Sequence, residues 1–303
     1  MSARTQDNAP LSGILLIDKP QDFTSHDVVA KMRGILRTRK IGHAGTLDPM
    51  ATGVLPLFLG TATKACDMMP DQSKRYTASF RLGIVTDTQD ITGTVLEQRP
   101  VTVGCSDVEQ ALAQFRGEID QLPPMYSAVQ VGGRRLYDLA REGKVVERTP
   151  RRITVYSLEL IEGEEADYTV DIHCSKGSYV RTICHDLGEA LGCGAALTAL
   201  RRTMAGGYSI DNCITIDQAQ REMEEDTLGR RILPVESVFT SLPRLEMTAK
   251  QAGHFCNGVR MSLGQFGGQQ PQALVAVYSP DGFIGVADTD TDQKLLIQKK
   301  LFQ

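Results

Sequence analysis

Residues 74–84 carry the pattern that most limits how this chain can fold. Apolar and polar side chains alternate there, and the apolar set is Tyr76, Ala78, Phe80, Leu82 and Ile84. Because successive side chains of a strand point to opposite faces, this period of two predicts a strand with one buried face. Two further strand-like segments, 153–161 and 167–174, are joined by an acidic turn at 162–165. Such paired strands predict a mixed or antiparallel sheet.

Helical patterns lie between the strand-like segments. Thr24 and Asp27 have the spacing of a capping box and precede an amphipathic pattern over 25–38. Ser106 and Glu109 have the same spacing before a second helical pattern. Since strands and helices do not alternate regularly, the predicted fold class is α+β, with a mixed or antiparallel central sheet flanked by helices.

The chain is long enough for more than one domain. It has 303 residues, and a domain of ordinary size has about 150. A helical pattern stops near 240–243, and the tail is rich in glycine with short β-type runs at 273–278 and 283–287. We therefore expect a disordered extension over 1–10, a main domain over 11–240 and a small β-rich domain over 241–303.

The chain lacks the sequence signs of several functional classes. No apolar run approaches the roughly 18 residues of a membrane span, and the first residues do not resemble a signal peptide. We therefore expect a cytoplasmic protein with no membrane partner. The seven cysteines include no C-x-x-C pair, the five histidines include no H-x-x-x-H pair, and glycine motifs for phosphate binding are absent. These patterns predict no metal and no nucleotide cofactor.

Residues 42–53 contain the densest group of turn-forming residues. Glycines in this segment permit backbone shapes that other residues resist, and Pro49 biases Asp48 away from the helical region. Such a loop can present the Asp48 carboxylate in one fixed direction. The alternative is that Asp48 caps a helix that begins at Pro49. Local spacing leaves both interpretations open.

Several motifs resemble those of the TruB family of tRNA pseudouridine synthases. The longest is GHAGTLDPMATGVLPLFLG at 42–60. The others are LLIDKP at 15–20, TSHDVV at 24–29, KRY at 74–76, PPMYSAVQVGGRRLYDLAREG at 123–143, KGSYVRTI at 176–183 and LRRTMAG at 200–206. The resemblance implies the pseudouridine synthase fold, closed at the C-terminal end by a small RNA-binding domain of the PUA type.

The resemblance implies an isomerase that converts uridine 55 in the T-loop of tRNA to pseudouridine without a cofactor. The target base is flipped out of the stack, and an aspartate of the signature loop drives rearrangement of the glycosidic bond from nitrogen to carbon. In this chain the matching residue is Asp48. A carboxylate suits either a nucleophile or a charge stabiliser. Residue identities leave open whether it attacks C1′, attacks C6 or assists elimination to a glycal.

Two further residues match catalytic positions of the family. Tyr76 matches the tyrosine that stacks on the flipped base and is a candidate for the later proton transfer, although its strand position also fits a core tyrosine. Arg181 matches the arginine that pairs with the catalytic aspartate. It stands in the first turn of a helix predicted after residues 177–178, where a cation opposes the helix dipole. Helix stability therefore does not explain Arg181, and the alternative is a surface arginine.

The resemblance also implies a set of substrate-binding residues, which are His43, Tyr179, Leu200, Lys19 and Lys64. His43 matches the histidine that enters the T-loop when the base leaves, and its alternative is an ordinary loop histidine. Leu200 matches a residue of the uracil pocket, although a lone leucine usually belongs to the core. Lys19 and Lys64 fit phosphate or structural contacts. Gln130 stands where many family members carry a lysine.

The net charge of −4 does not by itself favour an RNA partner. Acidic residues are concentrated at 159–171 and 217–226, whereas 31–40 and 134–152 are basic. Because both basic runs lie beside family motifs, we expect them to bind tRNA, with the acidic runs on the back of the molecule. Nothing in the sequence calls for more than a monomer. The alternative functions are an RNA-guided pseudouridylase relative and a tRNA-binding or folding protein without turnover.

Overall fold

The computed structural model describes residues 11–267 and 273–302, so the extension predicted over 1–10 lies outside the described residues. The helices are α1 (Ser25–Ile35), α2 (Cys105–Leu112), α3 (Leu136–Arg141), α4 (Val180–Ala190), α5 (Ile216–Glu224) and α6 (Ala249–Cys256). None of them, within these described ranges, is long and apolar enough to cross a membrane.

The strands up to residue 209 are β1 (Gly13–Lys19), β2 (Ile41–His43), β3 (Thr52–Leu59), β4 (Lys74–Leu82), β5 (Ile84–Thr86), β6 (Val95–Gln98), β7 (Gly117–Gln121), β8 (Gln130–Val131), β9 (Arg134–Arg135), β10 (Arg151–Glu164), β11 (Asp167–Cys174), β12 (Ala195–Ala205) and β13 (Tyr208–Ser209). Those that follow are β14 (Arg244–Glu246), β15 (Met261–Ser262), β16 (Val275–Ser279), β17 (Gly282–Asp290) and β18 (Leu295–Leu301).

The large sheet is mixed. Its strands lie in the order β1-β3-β12-β4-β11-β10-β7, with β2 paired to β3 and β13 paired to β12. β12 runs parallel to β3 and antiparallel to β4. β3 and β4 therefore do not pair with each other, although β4 is the next strand along the chain. The predicted α+β class with a mixed central sheet is confirmed.

The alternating segment forms β4, and its buried side chains are Tyr76, Ala78, Phe80 and Leu82. They share the main hydrophobic core with apolar residues of α2 and α4. The opposite face of β4 and β11 carries ion pairs, of which Arg81 with Asp167 is one at 2.8 Å. The predicted one-sided strand is confirmed as far as Leu82, but Gly83 has a φ of 87° and the half-buried Ile84 begins β5 instead. The strand pair formed by β10 and β11 is also confirmed.

The capping box predicted for α1 is present. The Thr24 amide donates to an Asp27 carboxylate oxygen at 2.8 Å, and the Asp27 amide donates to the Thr24 hydroxyl at 3.0 Å. The helix ends at Ile35, earlier than the predicted 38, because Arg37 adopts a φ of 50° that helical backbone cannot follow. The apolar side of α1 packs with residues of α5 against β1 and β3.

The capping box predicted from Ser106 and Glu109 is wrong. The helix α2 begins at Cys105, and its N-cap is Gly104, whose amide donates to an Asp107 carboxylate oxygen at 2.9 Å. Gly104 has no side chain that would identify it as an N-cap in the sequence. Ser106 and Glu109, two residues further on, have the residue types of a capping box and were therefore predicted instead.

The C-terminal part of the chain forms a second sheet in the order β14-β16-β17-β18-β15. β16 and β17 confirm the predicted β runs of the tail. This sheet packs against β1 and β3 through a cluster that contains the stacked rings of Phe239, Phe283 and Phe302. In addition, Lys64 Nζ donates to the Leu301 carbonyl at 3.1 Å. The last strand is thereby fixed to the rest of the molecule.

Candidate active site

The Asp48 loop connects β2 to β3. Gly45 has a φ of 73°, and the Ala51 amide donates to the Asp48 carbonyl at 3.1 Å, which closes a turn directly before β3. No helix begins at Pro49, so the alternative role of Asp48 as a helix cap is wrong. The Asp48 side chain is 41% exposed. The loop therefore presents one carboxylate to solvent from a fixed backbone.

Arg181 lies in the first turn of α4 and reaches the Asp48 loop. Its Nε is 3.0 Å from Asp48 Oδ2, and its side chain is only 6% exposed, which excludes the surface alternative. The two terminal nitrogens donate to the carbonyls of Thr88 and Tyr126, at 3.0 and 2.8 Å. Because three segments fix the guanidinium, it can hold one orientation toward the carboxylate.

A second carboxylate, Asp90, contacts the same guanidinium. Asp90 Oδ2 is 3.4 Å from Arg181 Nη1, and both side chains are 6% exposed. Thr92 donates to the other carboxylate oxygen, Oδ1, from its amide at 3.0 Å and from its hydroxyl at 2.5 Å. Asp90 was not predicted, since this aspartate has no periodic or motif signal in the sequence.

Gln121, at the end of β7, holds the start of α4. Its amide nitrogen donates to the Tyr179 carbonyl at 3.0 Å, and its amide oxygen accepts from the Tyr179 backbone nitrogen at 2.8 Å. Tyr179 is the N-cap of α4 and makes no side-chain cap, and the buried Gln121 fixes its backbone from β7. Gln121 was also not predicted, and it fixes Tyr179 two residues before Arg181.

Tyr76 and Leu200 face the same core on adjacent strands. Tyr76 is buried on β4, and Leu200 on β12 pairs with Ala78. Burial raises the pKa of the Tyr76 hydroxyl to about 12, partly opposed by the charge of Arg202. Both residues share a cluster with Leu47 of the Asp48 loop. Tyr76 is thus a core tyrosine that also borders the loop, as both interpretations require.

Lys19 contacts the backbone of the Asp48 loop. Its side chain is completely buried, and Nζ donates to the carbonyls of Pro20, Phe23 and Pro49 at 2.9, 2.5 and 3.2 Å. Burial lowers its pKa to about 8, and the nearby Asp48 charge opposes this shift. The ammonium has no proton left for a substrate phosphate. This position fits the structural contact that was one of the two interpretations of Lys19, and its substrate-binding role stays a prediction.

Arg202 is a further residue that the sequence analysis missed, although LRRTMAG contains it. It is the largest of the fully buried side chains in the described part of the chain. Its Nε donates to the Val54 carbonyl at 2.8 Å, and its Nη2 donates to the Gly45 carbonyl at 2.9 Å. An arginine beside another arginine gives no sign of its burial, because only the strand register decides which of the two faces inward.

His43 lines a cavity of about 350 Å³ beside the loop. Lys74, Lys176 and Asp67 also line it, so two lysines stand against one carboxylate there. The Nδ1 atom of His43 is buried and has no partner in the described residues. Burial, together with the Arg202 charge, lowers the pKa of His43. A neutral imidazole with a free ring nitrogen is consistent with insertion among RNA bases.

Two residues from the sequence analysis lie at other places. Lys64 is exposed and contacts Leu301 of the C-terminal sheet. Gln130 is exposed in the short hairpin of β8 and β9. Over residues 11–267 and 273–302, no three His, Cys, Asp or Glu side chains are grouped so that they could hold a metal ion.

Comparison with known proteins adds the family. The family model of the TruB family pseudouridylate synthase N-terminal domain matches residues 33–180, and that of the tRNA pseudouridylate synthase B C-terminal domain matches residues 181–240. The tRNA pseudouridine synthase B of Chromohalobacter salexigens is 42% identical over 285 residues, which cover 94% of this chain and 92% of that protein. The Pseudomonas fluorescens protein of that name is 43% identical over 294 residues, with 94% of each chain covered.

A solved structure has the same overall arrangement. In the crystal structure of a Cbf5-Nop10-Gar1 complex, one chain matches 96% of this chain with a TM-score of 0.75 and 26% identity, over 85% of its own length. This match extends through the C-terminal sheet and supports the predicted fold. The chain itself, on the evidence of its motifs, its Asp48 loop and its relatives, belongs to the TruB family of pseudouridylate synthases.

Proposed function

We propose that this protein isomerises uridine 55 in the T-loop of tRNA to pseudouridine. As a member of its family it is a tRNA pseudouridine synthase and therefore an isomerase. The proposal concerns the uridine that it selects and the residues that act on it. The observation that carries it is the ion pair between the half-exposed Asp48 and the buried Arg181, at 3.0 Å.

The reaction exchanges two bonds of one nucleoside. The bond from N1 to C1′ breaks, the uracil turns, and a bond from C5 to C1′ forms. C5 loses a hydrogen and N1 gains one, so that no redox partner is needed. Asp48 is the group that acts on the sugar or the base, because an oriented carboxylate can either attack carbon or stabilise positive charge on the ribose. Arg181 fixes its direction.

The target nucleotide must leave the RNA stack to reach Asp48. Tyr76, Tyr179 and Leu200 are the side chains that we assign to the uracil pocket. His43 is the last residue of β2, directly before the Asp48 loop, and is assigned to the gap that the departing base leaves in the T-loop. These residues all come from one chain, so we propose that a monomer is sufficient.

The alternatives differ in what they need. An RNA-guided enzyme would modify uridine only with a guide RNA, and the curated bacterial relatives at 42 and 43% identity carry the name of the tRNA enzyme. A tRNA-binding or folding protein without turnover would not need an ion pair that orients Asp48. Incubation with unmodified tRNA distinguishes both alternatives from the proposal.

The test is incubation of purified protein with unmodified tRNA transcripts, followed by mapping of pseudouridine. We expect modification at position 55 without added guide RNA. Asp48→Asn should lower the single-turnover rate about 10⁴-fold or more while tRNA affinity persists. Asp217→Asn, which removes an exposed carboxylate on α5, is the matched control and should leave the rate unchanged. Pseudouridine at another position, or equal loss of binding and turnover in Asp48→Asn, would contradict the proposal.

A further inference from the structure

Arg202 is a buried cation without an ionic partner. Its side chain has no exposed surface, and no carboxylate of residues 11–267 and 273–302 forms an ion pair with it. A guanidinium cannot release its proton in a protein, and an unpaired buried charge is costly. The contacts of Arg202 show what this buried charge does next to the candidate active site.

Two contacts of Arg202 fix the Asp48 loop at both ends. The Gly45 carbonyl accepts from Nη2 at 2.9 Å, three residues before Asp48. The Val54 carbonyl accepts from Nε at 2.8 Å, six residues after it. The two carbonyls also fix the orientation of the guanidinium, because Nε and Nη2 donate to them at the same time.

The third nitrogen has a different environment. Nη1 is buried and donates to no carbonyl or carboxylate within the described part of the chain, and the side chain that interacts with the guanidinium is Tyr76. Across the sheet, Tyr76 is the direct register partner of Arg202. The guanidinium charge acts on the Tyr76 hydroxyl, since it opposes the rise in pKa that burial causes. Tyr76 is thus an ionisable hydroxyl on which this cation acts, and the Cys213 thiol is a second such group.

Glycines make room for this arrangement. A Cβ atom on Gly53 would lie 2.1 Å from the Arg202 carbonyl oxygen, and one on Gly45 would lie 3.2 Å from Arg202 Nη1. Both glycines have positive φ values, 106° and 73°. The loop that carries Asp48 therefore approaches Arg202 with its backbone from two sides, which a side chain at either glycine would hinder.

We propose that Arg202 is a positioning residue of the isomerisation, whose fixed guanidinium stabilises the phenolate of Tyr76 when that group removes the hydrogen from C5. The inference rests on the proposed function. In this step the C5–H bond breaks, its proton passes to the phenolate oxygen, and its electron pair restores the ring double bond. The phenol passes its own proton to water beforehand, and N1 takes one proton from water, so the net reaction moves one hydrogen from C5 to N1.

A positive charge lowers the free energy of a neighbouring anion most strongly where water is absent. Arg202 meets this condition because Tyr76 and Arg202 are both buried. Its neighbour Arg201 does not, since its side chain is 44% exposed and paired with Asp18 at 2.8 Å. Arg201→Met therefore removes the same charge one residue away and serves as the matched control.

The experiment is a double-mutant cycle that combines Arg202→Met with Tyr76→Phe, measured as single-turnover rates at saturating tRNA. We expect each single change to lower the rate about 100-fold, as loss of a general base does. In the Tyr76→Phe background, Arg202→Met should lower it by only about tenfold, because the hydroxyl through which it acts is gone. The affinity for tRNA should remain, and Arg202→Lys should recover part of the rate.

Additive losses in the cycle, or an unchanged rate in Arg202→Met, would overturn the inference. An unchanged rate in Tyr76→Phe would instead contradict the role of Tyr76 in the proposed function, so the two failures are distinguishable. If Arg202→Met does not fold, as circular dichroism would show, the same cycle is run with Arg202→Lys. That variant keeps the charge and should show a smaller loss with the same dependence on the Tyr76 hydroxyl.

Discussion

At the scale of residues, the site is built from cations that hold backbone rather than substrate. Lys19 donates to Pro49, and Arg202 donates to Gly45 and Val54. Arg181 alone among these three directs a nitrogen at the Asp48 carboxylate. A loop fixed in this way loses little conformational entropy when the substrate binds, because its conformation is set before binding.

Lys19→Met tests this view of the loop. We expect kcat to fall about 100-fold, because a small displacement of a catalytic group has effects of that size. The slope of log Kd against log salt should not change, since a buried ammonium with carbonyl partners releases no counterion from RNA. Rates and salt titrations with unmodified tRNA are the measurements. A decrease in the slope by about 0.7 to 0.9 would show that Lys19 binds phosphate.

Sequence could locate the exposed chemistry of the site but not its support. Asp48 is visible because glycine and proline punctuate its loop, and the family motifs name its partner Arg181. Asp90, Gln121 and Arg202 have no such signal, because each acts on a segment far away in the chain. Gln121, for example, contacts Tyr179 only because β7 ends beside the start of α4.

At the scale of elements, local patterns predicted those elements whose stabilising contacts are local. α1 has its capping box, and β4 has its alternation. The predicted N-cap of α2 lies two residues after the observed one, because the observed N-cap is a glycine. The central position of β12 was not predicted, since both strands that pair with it, β3 and β4, are distant in sequence.

The contact between β3 and β12 can be tested with Gly53→Ala. The added methyl would lie 2.1 Å from the Arg202 carbonyl oxygen, and the φ of 106° is unfavourable for alanine. We expect the free energy of unfolding to fall by about 3 kcal/mol or more. Urea denaturation followed by circular dichroism measures it.

Gly104→Ala is the matched control for this change. A Cβ on Gly104 would meet no atom within 4 Å, and Gly104 does not have a positive φ. Its replacement should change the free energy of unfolding by less than about 1 kcal/mol. Equal effects of the two variants would mean that the close approach of β12 to Gly53 has no influence on stability.

At the scale of the whole molecule, the charges are less separated than the sequence suggests. The acidic run 217–226 covers most of α5, and α5 packs against α1. The basic run 31–40 starts within α1. This acidic run therefore adjoins the helix in which the basic run starts, and the separate back of the molecule stays a prediction. The run 159–171, by contrast, forms the β10–β11 hairpin.

The basic hairpin of β8 and β9 allows a test of tRNA binding. Arg135 is exposed and forms no ion pair within the described residues, whereas Arg134 is paired with Glu142. We expect Arg135→Gln to reduce the slope of log Kd against log salt by about 0.7 to 0.9, as loss of one phosphate contact does. Arg134→Gln should have a smaller effect, because Glu142 already neutralises that charge. An unchanged slope in both variants would place tRNA away from this hairpin.

The insertion of β12 between β3 and β4 also determines when the enzyme can become active during synthesis. Asp48 and Tyr76 belong to the first third of the chain, but β12, which lies between β3 and β4, begins only at Ala195. Until the ribosome has released that segment, β3 and β4 have no common neighbour, and long-range pairing of this kind is slow. The unfinished sheet therefore exposes two strand edges to other chains. Chaperone binding to the nascent protein is accordingly expected before residue 195 emerges and should end soon afterwards.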